Sequence, residues 1–193
     1  PEANIILPVG ISFYTFQTLS YTLDVHARRI EPCKSFLDYA LFVTFFPQLV
    51  AGPIVRARQF LPPCETPPRV TGSQVAWGLY LMVIGVFEKS VIAHGILAST
   101  VEAVFDSARP ATAVDVWAAC LGGIGQFFCD FAGYSLCAIG AARCLGFRLP
   151  INFRFPLASI GFADFWRRWH ISLSTWLRDY VYFSLFTLFG GRA

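Results

Sequence analysis

Charged residues are scarce in this chain, which argues against an ordinary soluble domain. Only 14% of its 193 residues are Asp, Glu, Lys or Arg, whereas soluble globular domains carry about 25%. Hydrophobic residues make up 55% of the chain and aromatic residues 17%. This balance predicts that much of the chain lies in a lipid bilayer or against other apolar segments.

Motifs of common soluble enzymes and of zinc proteins are also missing. The sequence contains no GxGxxG or Walker loop, no GxSxG elbow and no HExxH pair. Its six cysteines include no CxxC pair and no Cys/His spacing typical of a zinc site. We therefore predict no metal site, and we interpret the cysteines as small buried hydrophobic residues.

Positive charge is not concentrated in one stripe, so nucleic acid is not an expected partner. The net charge is only +3, and the Lys and Arg residues are spread over connections between apolar blocks. In membrane proteins such loops favour the cytoplasmic side. The charge pattern therefore fits a membrane protein, although it does not assign each loop to a side.

Four apolar runs are long enough to suggest buried or membrane-spanning segments, since a spanning helix needs about 20 mostly apolar residues. The runs are Ala3–Leu23, Tyr39–Val55, Val70–Phe87 and Val116–Ala142, of which only the last contains a charge, Asp130. Between them, "AGPIVR" predicts a helix break and "LPPCETPP" an extended or irregular loop. The predicted fold class is all-α, a polytopic membrane bundle with re-entrant or interfacial helices.

Three details of the longer runs follow from local signals. The adjacent Glu88 and Lys89 could mark a membrane surface, in which case Ser90–Phe105 is interfacial. Thr112 or Asp115 is a plausible N-cap for the last run. That run, rich in Gly, Ala and Ser, which let helices approach closely in lipid, forms either one tilted span or two shorter helices that meet near Asp130.

The stretch "DFWRRWHISLSTWLRDY" carries most of the polar chemistry. Aromatic and apolar residues recur there at steps of three and four, which predicts one amphipathic helix from Ala163 with His170 on its aromatic face. A histidine among aromatic rings is desolvated and neutral, and so can accept a proton. The same pattern also fits an interfacial anchor or a buried, hydrogen-bonded histidine.

Asp130, within "QFFCDFAGYS", is a second costly residue. A lone aspartate at the centre of a membrane helix is disfavoured by about 2.5 to 3.5 kcal/mol, so we expect it to have a partner such as an arginine, a hydroxyl or a backbone donor. Tyr134 and Ser135 offer hydroxyl groups nearby. A structural contact between helices and a role in binding both remain open from the pattern alone.

Several ordered blocks together are more specific than any single motif. "PVGISFYTFQTLSY", "VAGPIVR", "DFAGYS", "LPINFRFP" and "DFWRRWHISLSTWLRDYVY" follow one another across most of the chain. In this order they resemble the membrane-bound O-acyltransferase family, in particular its bacterial branch of alginate O-acetyltransferases and D-alanyl-transfer proteins. Two departures are visible, because Leu136 and Cys137 replace a common Asp and Met, and His94 stands where Asp is frequent.

The resemblance implies a helical bundle around a tunnel, in which an acyl group from a cytoplasmic thioester reaches an acceptor hydroxyl on the far side. It implies that His170 is catalytic and that a second histidine lies downstream in a "WHG" segment. Residues 1–193 are accordingly expected to be one internal fragment that lacks the N-terminal helices and the C-terminal part with that histidine. The candidate substrate- or donor-binding residues are Arg167, Arg168, Trp169, Trp176, Asp179, Asp130, Tyr134 and Ser135.

The expected activity is transfer of an acetyl or other short acyl group to hydroxyls of a cell-surface polysaccharide such as alginate. No bound cofactor is expected, and the donor would be acetyl-CoA or an acyl carrier protein thioester. Expected partners are the lipid bilayer, the polysaccharide and a periplasmic or extracellular acyltransferase, with a multi-pass location in the bacterial cytoplasmic membrane. Two alternatives remain, namely a non-enzymatic scaffold or export component, and an acyltransferase acting on teichoic acid or lipid.

Overall fold

The computed structural model describes residues 10–106 and 111–189, and every regular element within these ranges is helical. The predicted all-α class is therefore confirmed. The beginning of the first apolar run, up to residue 9, and residues 107–110 before the Thr112 cap lie outside the described residues.

The first part of the described chain combines two helices with two single turns. They are α1 (Ile11–His26), α2 (Phe36–Thr44), α3 (Ala57–Phe60) and α4 (Pro62–Glu65). The predicted break is confirmed, since α2 ends before Pro47 and residues 45–56 are not helical. The expectation of a wholly irregular "LPPCETPP" segment is wrong, because α4 forms there with proline in its first turn, where the missing N–H costs no hydrogen bond.

Within residues 10–106 and 111–189, two helices are long and apolar enough to cross a membrane. The first runs over Gly72–Phe105, 34 residues, and comprises α5 (Gly72–Val86), a π-helical stretch (Phe87–Leu97) and α6 (Ala98–Phe105). The second is α7 (Ala113–Cys144), 32 residues. Since α7 is continuous, the alternative of two shorter helices near Asp130 is excluded.

The start of α7 confirms the predicted cap. The Thr112 hydroxyl accepts the Asp115 N–H at 3.3 Å, and the Asp115 carboxylate accepts the Thr112 N–H at 2.9 Å. This reciprocal pair satisfies two donors that a helix start leaves without partners. The first long helix, in contrast, does not stop at Glu88 and Lys89, so an interfacial position for Ser90–Phe105 stays a prediction.

Small residues bring the two long helices into backbone contact, as the composition of α7 predicts. A methyl group placed on Gly85 would come within 2.9 Å of the Cys137 nitrogen, and one on Gly140 would collide with the Gly78 carbonyl oxygen. Real side chains do not approach backbone atoms so closely. The α5–α7 packing therefore depends on glycine at these positions.

We expect Gly140→Leu to destabilise the full-length protein, because its side chain would force α5 and α7 apart. Overpacking of this kind costs about 1 to 3 kcal/mol, so the apparent Tm in detergent should fall by several degrees. Gly123→Leu is the matched control, since a Cβ at Gly123 in the same helix meets no atom within 4 Å. Equal Tm values for the two variants would contradict this account of the helix contact.

The cysteines do not all behave as buried hydrophobic residues. All six are free thiols, and Cys120 is exposed while the other five are half-buried. Cys137 and Cys144 lie at the α5–α7 contact, where their thiols point at the Met82 and Val75 carbonyl oxygens. The expectation of full burial is thus wrong, because most of these positions lie on helix faces that the described residues only partly cover.

The last part of the chain is a series of short helices. They are a 3₁₀ turn (Pro156–Ala158), α8 (Gly161–Arg168), α9 (Ile171–Trp176), a π-helical stretch (Leu177–Tyr182) and α10 (Phe183–Leu188). The predicted single helix from Ala163 is wrong, because the chain turns at Trp169 and His170. Trp169 is extended, and His170 has a left-handed backbone with φ 40° and ψ 54°.

The non-helical segment 45–56 and the helices around it form the core. One buried cluster joins Phe42, Phe45, Val55, Phe60 and neighbouring residues to the C-terminal half of α7. A second joins Ile54 to Trp176 and Tyr180 of the last segment. Val55 and Ile54 are adjacent, so this segment links α7 to the region around His170.

Candidate active site around His170

The turn between α8 and α9 holds His170 in a strained conformation. Its left-handed backbone, with φ 40°, costs on the order of 1 to 3 kcal/mol for a residue other than glycine. Such a conformation persists only where surrounding contacts enforce it. The contacts that do so come from residues 152–154, a connection without helical structure.

Backbone hydrogen bonds from this connection bracket the turn on both sides. The Arg154 N–H donates to the Arg168 carbonyl at 2.9 Å, and the Ile171 N–H donates to the Asn152 carbonyl at 2.9 Å. One bond thus precedes Trp169 and His170, and the other comes after them. These bonds therefore hold Trp169 and His170, which lie between them, in a non-helical conformation.

Buried side chains connect these backbone bonds to α7, to α9 and to the non-helical segment 45–56. The Asn152 amide donates to the Ser135 hydroxyl of α7 at 3.0 Å, and its oxygen accepts the Ser172 hydroxyl at 2.6 Å. The Ser172 oxygen in turn accepts the Ile54 N–H at 3.0 Å. Asn152, Ser135 and Ser172 are almost fully buried, so each bond satisfies a group that would otherwise be costly to bury.

Aromatic rings surround the turn. The His170 ring meets Phe131 of α7 edge-on, with ring centroids 4.7 Å apart. Trp169 stacks on Phe165 at 5.5 Å and packs on Phe153 at 4.9 Å. The prediction that His170 lies among aromatic residues is confirmed, although a turn and not a continuous helix places it there.

The His170 imidazole is neutral in this environment. Burial lowers the pKa of His170 from 6.5 to about 4, because a desolvated ring resists protonation. Within the described ranges its Nε2 is buried and has no hydrogen-bond partner. A neutral nitrogen without a competing donor can accept a proton from a hydroxyl group that reaches it.

A cavity of about 380 Å³ adjoins the framework. Ser135, Asn152 and Phe153 contribute to its wall, together with Glu88 of the first long helix. His170 itself is not among its lining residues. The cavity therefore borders the residues that hold the turn, on the side of Asn152.

Arg167 and Arg168, the two arginines predicted to bind the substrate or the donor and thus candidates for anion binding, differ in their surroundings. Arg168 donates from Nε to both carboxylate oxygens of Asp164, at 2.9 and 3.0 Å. These bonds keep the pKa of Asp164 below its usual value. Arg167 is exposed. Anion binding by either residue stays a prediction.

Trp176 and Asp179, two further candidates for substrate binding, belong to a separate buried framework. The Trp176 indole donates to the Phe16 carbonyl at 3.0 Å, and Asp179 accepts from Arg56 at 3.1 Å. The Arg56 guanidinium lies 4.4 Å from the centre of the Tyr180 ring, and the Tyr180 hydroxyl donates to Asp24 at 2.7 Å. These bonds tie the last helices to α1, so both side chains are engaged within the protein.

Asp130 has the partner that its position requires, but the partner is a lysine. It forms an ion pair with Lys89 of the first long helix, and the His94 Nε2 lies 3.6 Å from the same carboxylate oxygen. Of the other two candidates on α7, Tyr134 packs against the Phe42 cluster and Ser135 bonds to Asn152. Among the predicted residues, Arg168, Trp169 and Ser135 lie near His170. The Arg168 carbonyl bonds to Arg154, the Trp169 ring packs on Phe153, and Ser135 is linked to the turn through Asn152.

Sequence reasoning missed Asn152, the residue that joins these parts. The "LPINFRFP" block contains it, but helical periodicity does not single out a residue in a connection. One available signal was its chemistry, because an amide isolated among apolar residues must find hydrogen bonds if it is buried. Ser172 was missed as well, because it lies within the stretch predicted to be one helix.

A comparison with known protein families identifies the family of this chain. Residues 33–192 match the model of the membrane-bound O-acyltransferase family. The chain belongs to this family. Membership in the membrane-bound O-acyltransferases confirms the resemblance drawn from the sequence blocks and agrees with the two apolar helices.

The chain is similar to membrane-bound O-acyltransferases that are named for three different polymers. The chain is 41% identical over 182 residues to a probable alginate O-acetylase of Pseudomonas aeruginosa, covering 94% of this chain and 34% of that protein. It is 36% identical to a peptidoglycan O-acetyltransferase of Helicobacter pylori, covering 94% and 39%. It is 31% identical to a teichoic acid D-alanyltransferase of Bacillus subtilis, covering 94% and 46%. The chain thus spans about a third to a half of the length of these relatives.

Proposed function

We propose that the full-length chain is a membrane O-acyltransferase that moves an acetyl or other short acyl group from a thioester to hydroxyls of a cell-surface polysaccharide. The observation that carries this proposal is His170, held neutral among aromatic rings with an Nε2 that no described residue bonds, in a chain of this family. The relatives' names support the reaction class, since each describes acyl transfer to a cell-surface polymer.

The proposed chemistry is a single acyl transfer. Nε2 of His170 accepts the proton of the acceptor hydroxyl while the hydroxyl oxygen forms a bond to the thioester carbonyl carbon. The carbon–sulfur bond then breaks, and the leaving sulfur takes the proton held by His170, which returns the imidazole to its neutral form. The products are an ester and a free thiol, so no oxidant or metal is needed.

The donor and the surroundings of the reaction follow from the same proposal. Acetyl-CoA or an acyl carrier protein would supply the thioester, and Arg167 or Arg168 could hold its phosphate. A second histidine would come from a part of the parent chain beyond these 193 residues. The protein would cross the bacterial cytoplasmic membrane several times and act with a periplasmic or extracellular acyltransferase.

The acceptor is tested in the organism that makes the full-length protein. Deleting its gene should remove base-labile acetyl groups from the isolated surface polysaccharide, which NMR of the polymer detects directly. Loss of D-alanine esters instead would favour the teichoic acid alternative, and loss of acetyl groups from peptidoglycan would identify that polymer. Unchanged ester content in all three polymers would contradict the proposed activity.

A complemented strain separates the enzyme from a scaffold. A scaffold or export component carrying His170→Ala would restore both polymer export and normal acylation. With an enzyme carrying the same substitution, the polymer would be exported but would lack its acyl groups. Export and acylation are measured on the same polymer preparation, so a difference in polymer yield does not affect the comparison.

A further inference from the structure

We propose that Asn152 is a positioning residue for the acyl-transfer reaction, because it fixes the His170 turn to one face of helix α7. Only the expected change in kcat rests on the proposed function. The position of the His170 ring depends on the hydrogen bonds of Asn152 and not on that function.

Asn152 contacts both the two residues after His170 and the helix beside it. Its carbonyl oxygen accepts the Ile171 N–H and its side-chain oxygen accepts the Ser172 hydroxyl, so one residue holds two consecutive positions. Its amide nitrogen donates to Ser135 of α7. The bond from Ile171 uses the main-chain carbonyl oxygen, which any residue supplies, whereas the bonds with Ser172 and Ser135 require a side-chain amide, which both accepts and donates.

The attachment point on α7 explains why this matters for His170. Ser135, which receives the Asn152 amide, lies four residues after Phe131, whose ring meets His170 at 4.7 Å. Residues four apart lie on the same helix face, separated by about 6 Å along the axis. The Asn152–Ser135 bond and the His170–Phe131 contact are thus two anchors of the turn on one helix face.

The turn needs such anchors because its backbone is strained. His170 has a positive φ, and the Asn152 side chain ties the start of α9 to Ser135 of α7 through Ser172. Loss of these side-chain bonds would let α9 shift relative to α7, and the His170 ring would move away from its present position on Phe131. Asn152 therefore acts on catalysis through the position of the ring, not by touching the substrate.

The kinetic test uses the full-length protein in detergent or nanodiscs. Asn152→Ala should lower kcat on the order of 100-fold with little change in KM, since a displacement of about 1 Å at a reacting group has this effect. Ser135→Ala, which removes one hydroxyl and no helix propensity, should lower kcat by about tenfold. A rise in KM with unchanged kcat would overturn the proposal and assign Ser135 to substrate binding.

A matched control separates positioning from general loss of a buried amide. Gln17 of α1 is as deeply buried as Asn152 and donates to the Phe42 carbonyl at 3.3 Å, away from the turn. Gln17→Ala should keep the wild-type kcat in the protein that remains folded. Equal losses of kcat in Gln17→Ala and Asn152→Ala would overturn the specific role of Asn152.

A second readout does not depend on enzymatic activity. NMR titration of the labelled histidines, with His170 assigned by its loss in His170→Gln, should give a pKa of about 4 in the wild type and a value closer to 6.5 in Asn152→Ala, as water reaches the ring. The charged residues on the elements packed against the turn include Asp164, Arg167 and Arg168 of α8, Asp130 of α7 and Arg154, and Asn152→Ala alters none of them. An unchanged His170 titration in Asn152→Ala would overturn the proposal even if the full-length protein transferred no acyl group.

Discussion

His170→Ala in the full-length protein should lower the rate of acyl transfer by about 100-fold to 10,000-fold, the range for loss of a general base. The structure supplies the physical reason, because Nε2 is neutral, buried and free of a hydrogen-bond partner among the described residues. Removing it leaves no group at that place to take the proton of the attacking hydroxyl. The measurement is the initial rate of transfer of a labelled acyl group, normalised to protein abundance in the membrane.

Two further variants make the result specific to the imidazole. His170→Gln keeps a polar side chain of comparable length but no base, so its rate should fall as far as that of His170→Ala. His26→Gln removes an exposed histidine at the end of α1 and should leave the rate unchanged. Wild-type turnover by His170→Ala at normal abundance would exclude His170 from the mechanism and favour the interfacial anchor.

The pH profile of the wild type gives an independent check on the same nitrogen. A general base works only in its neutral form, which for His170 persists down to a pKa of about 4. The rate should therefore stay constant as pH falls through 6.5 and should decrease only as it passes through about 4. A decrease centred near 6.5 would indicate a solvated histidine in the active protein.

Asp179→Ala should destabilise the protein strongly. The Arg56 side chain is only 8% exposed and Asp179 is its ion-pair partner, so the substitution leaves a buried positive charge with one contact fewer. We expect a loss of about 3 kcal/mol, the low end for a broken buried pair, because Asp179 itself is 29% exposed. The apparent Tm of the full-length protein in detergent measures this effect.

Arg178→Ala is the matched control for this prediction. Arg178 also bonds to Asp179, at 2.9 Å, but its side chain is 57% exposed, and exposed pairs contribute about 0 to 1 kcal/mol. Its Tm should stay near that of the wild type. If Asp179→Ala were equally stable but showed a raised KM for the acyl donor, the substrate-binding prediction for Asp179 would be correct and the structural one wrong.

Several elements could be predicted because neighbouring residues determine them. Two of the four apolar runs form the long helices, whereas the run Tyr39–Val55 forms only the end of α2 and the non-helical segment 45–56. Thr112 with Asp115 predicts the start of α7. The small residues of α7 predict close contact with another helix, and the structure identifies that helix as α5. In each case the residues that carry the signal lie within a few turns of one another, so the pattern of the chain contains the information.

The turn at His170 could not be predicted in this way. The spacing of aromatic residues from Ala163 is that of a continuous helix, and periodicity reports which residues share a face, not whether the backbone stays helical. The break depends on hydrogen bonds from Asn152 and Arg154, which lie in a different segment. Local preference for a helix was outweighed by these tertiary bonds.

The sequence by itself determined that the chain is helical, apolar enough for a membrane and built around a histidine among aromatic rings. Only the tertiary structure decided how that histidine is held, which partner Asp130 takes, and that Asp179 pairs with Arg56, 123 residues away. The physical reason is that helix formation follows from contacts between near neighbours. A strained turn or a buried ion pair is stable only when distant segments supply its partners.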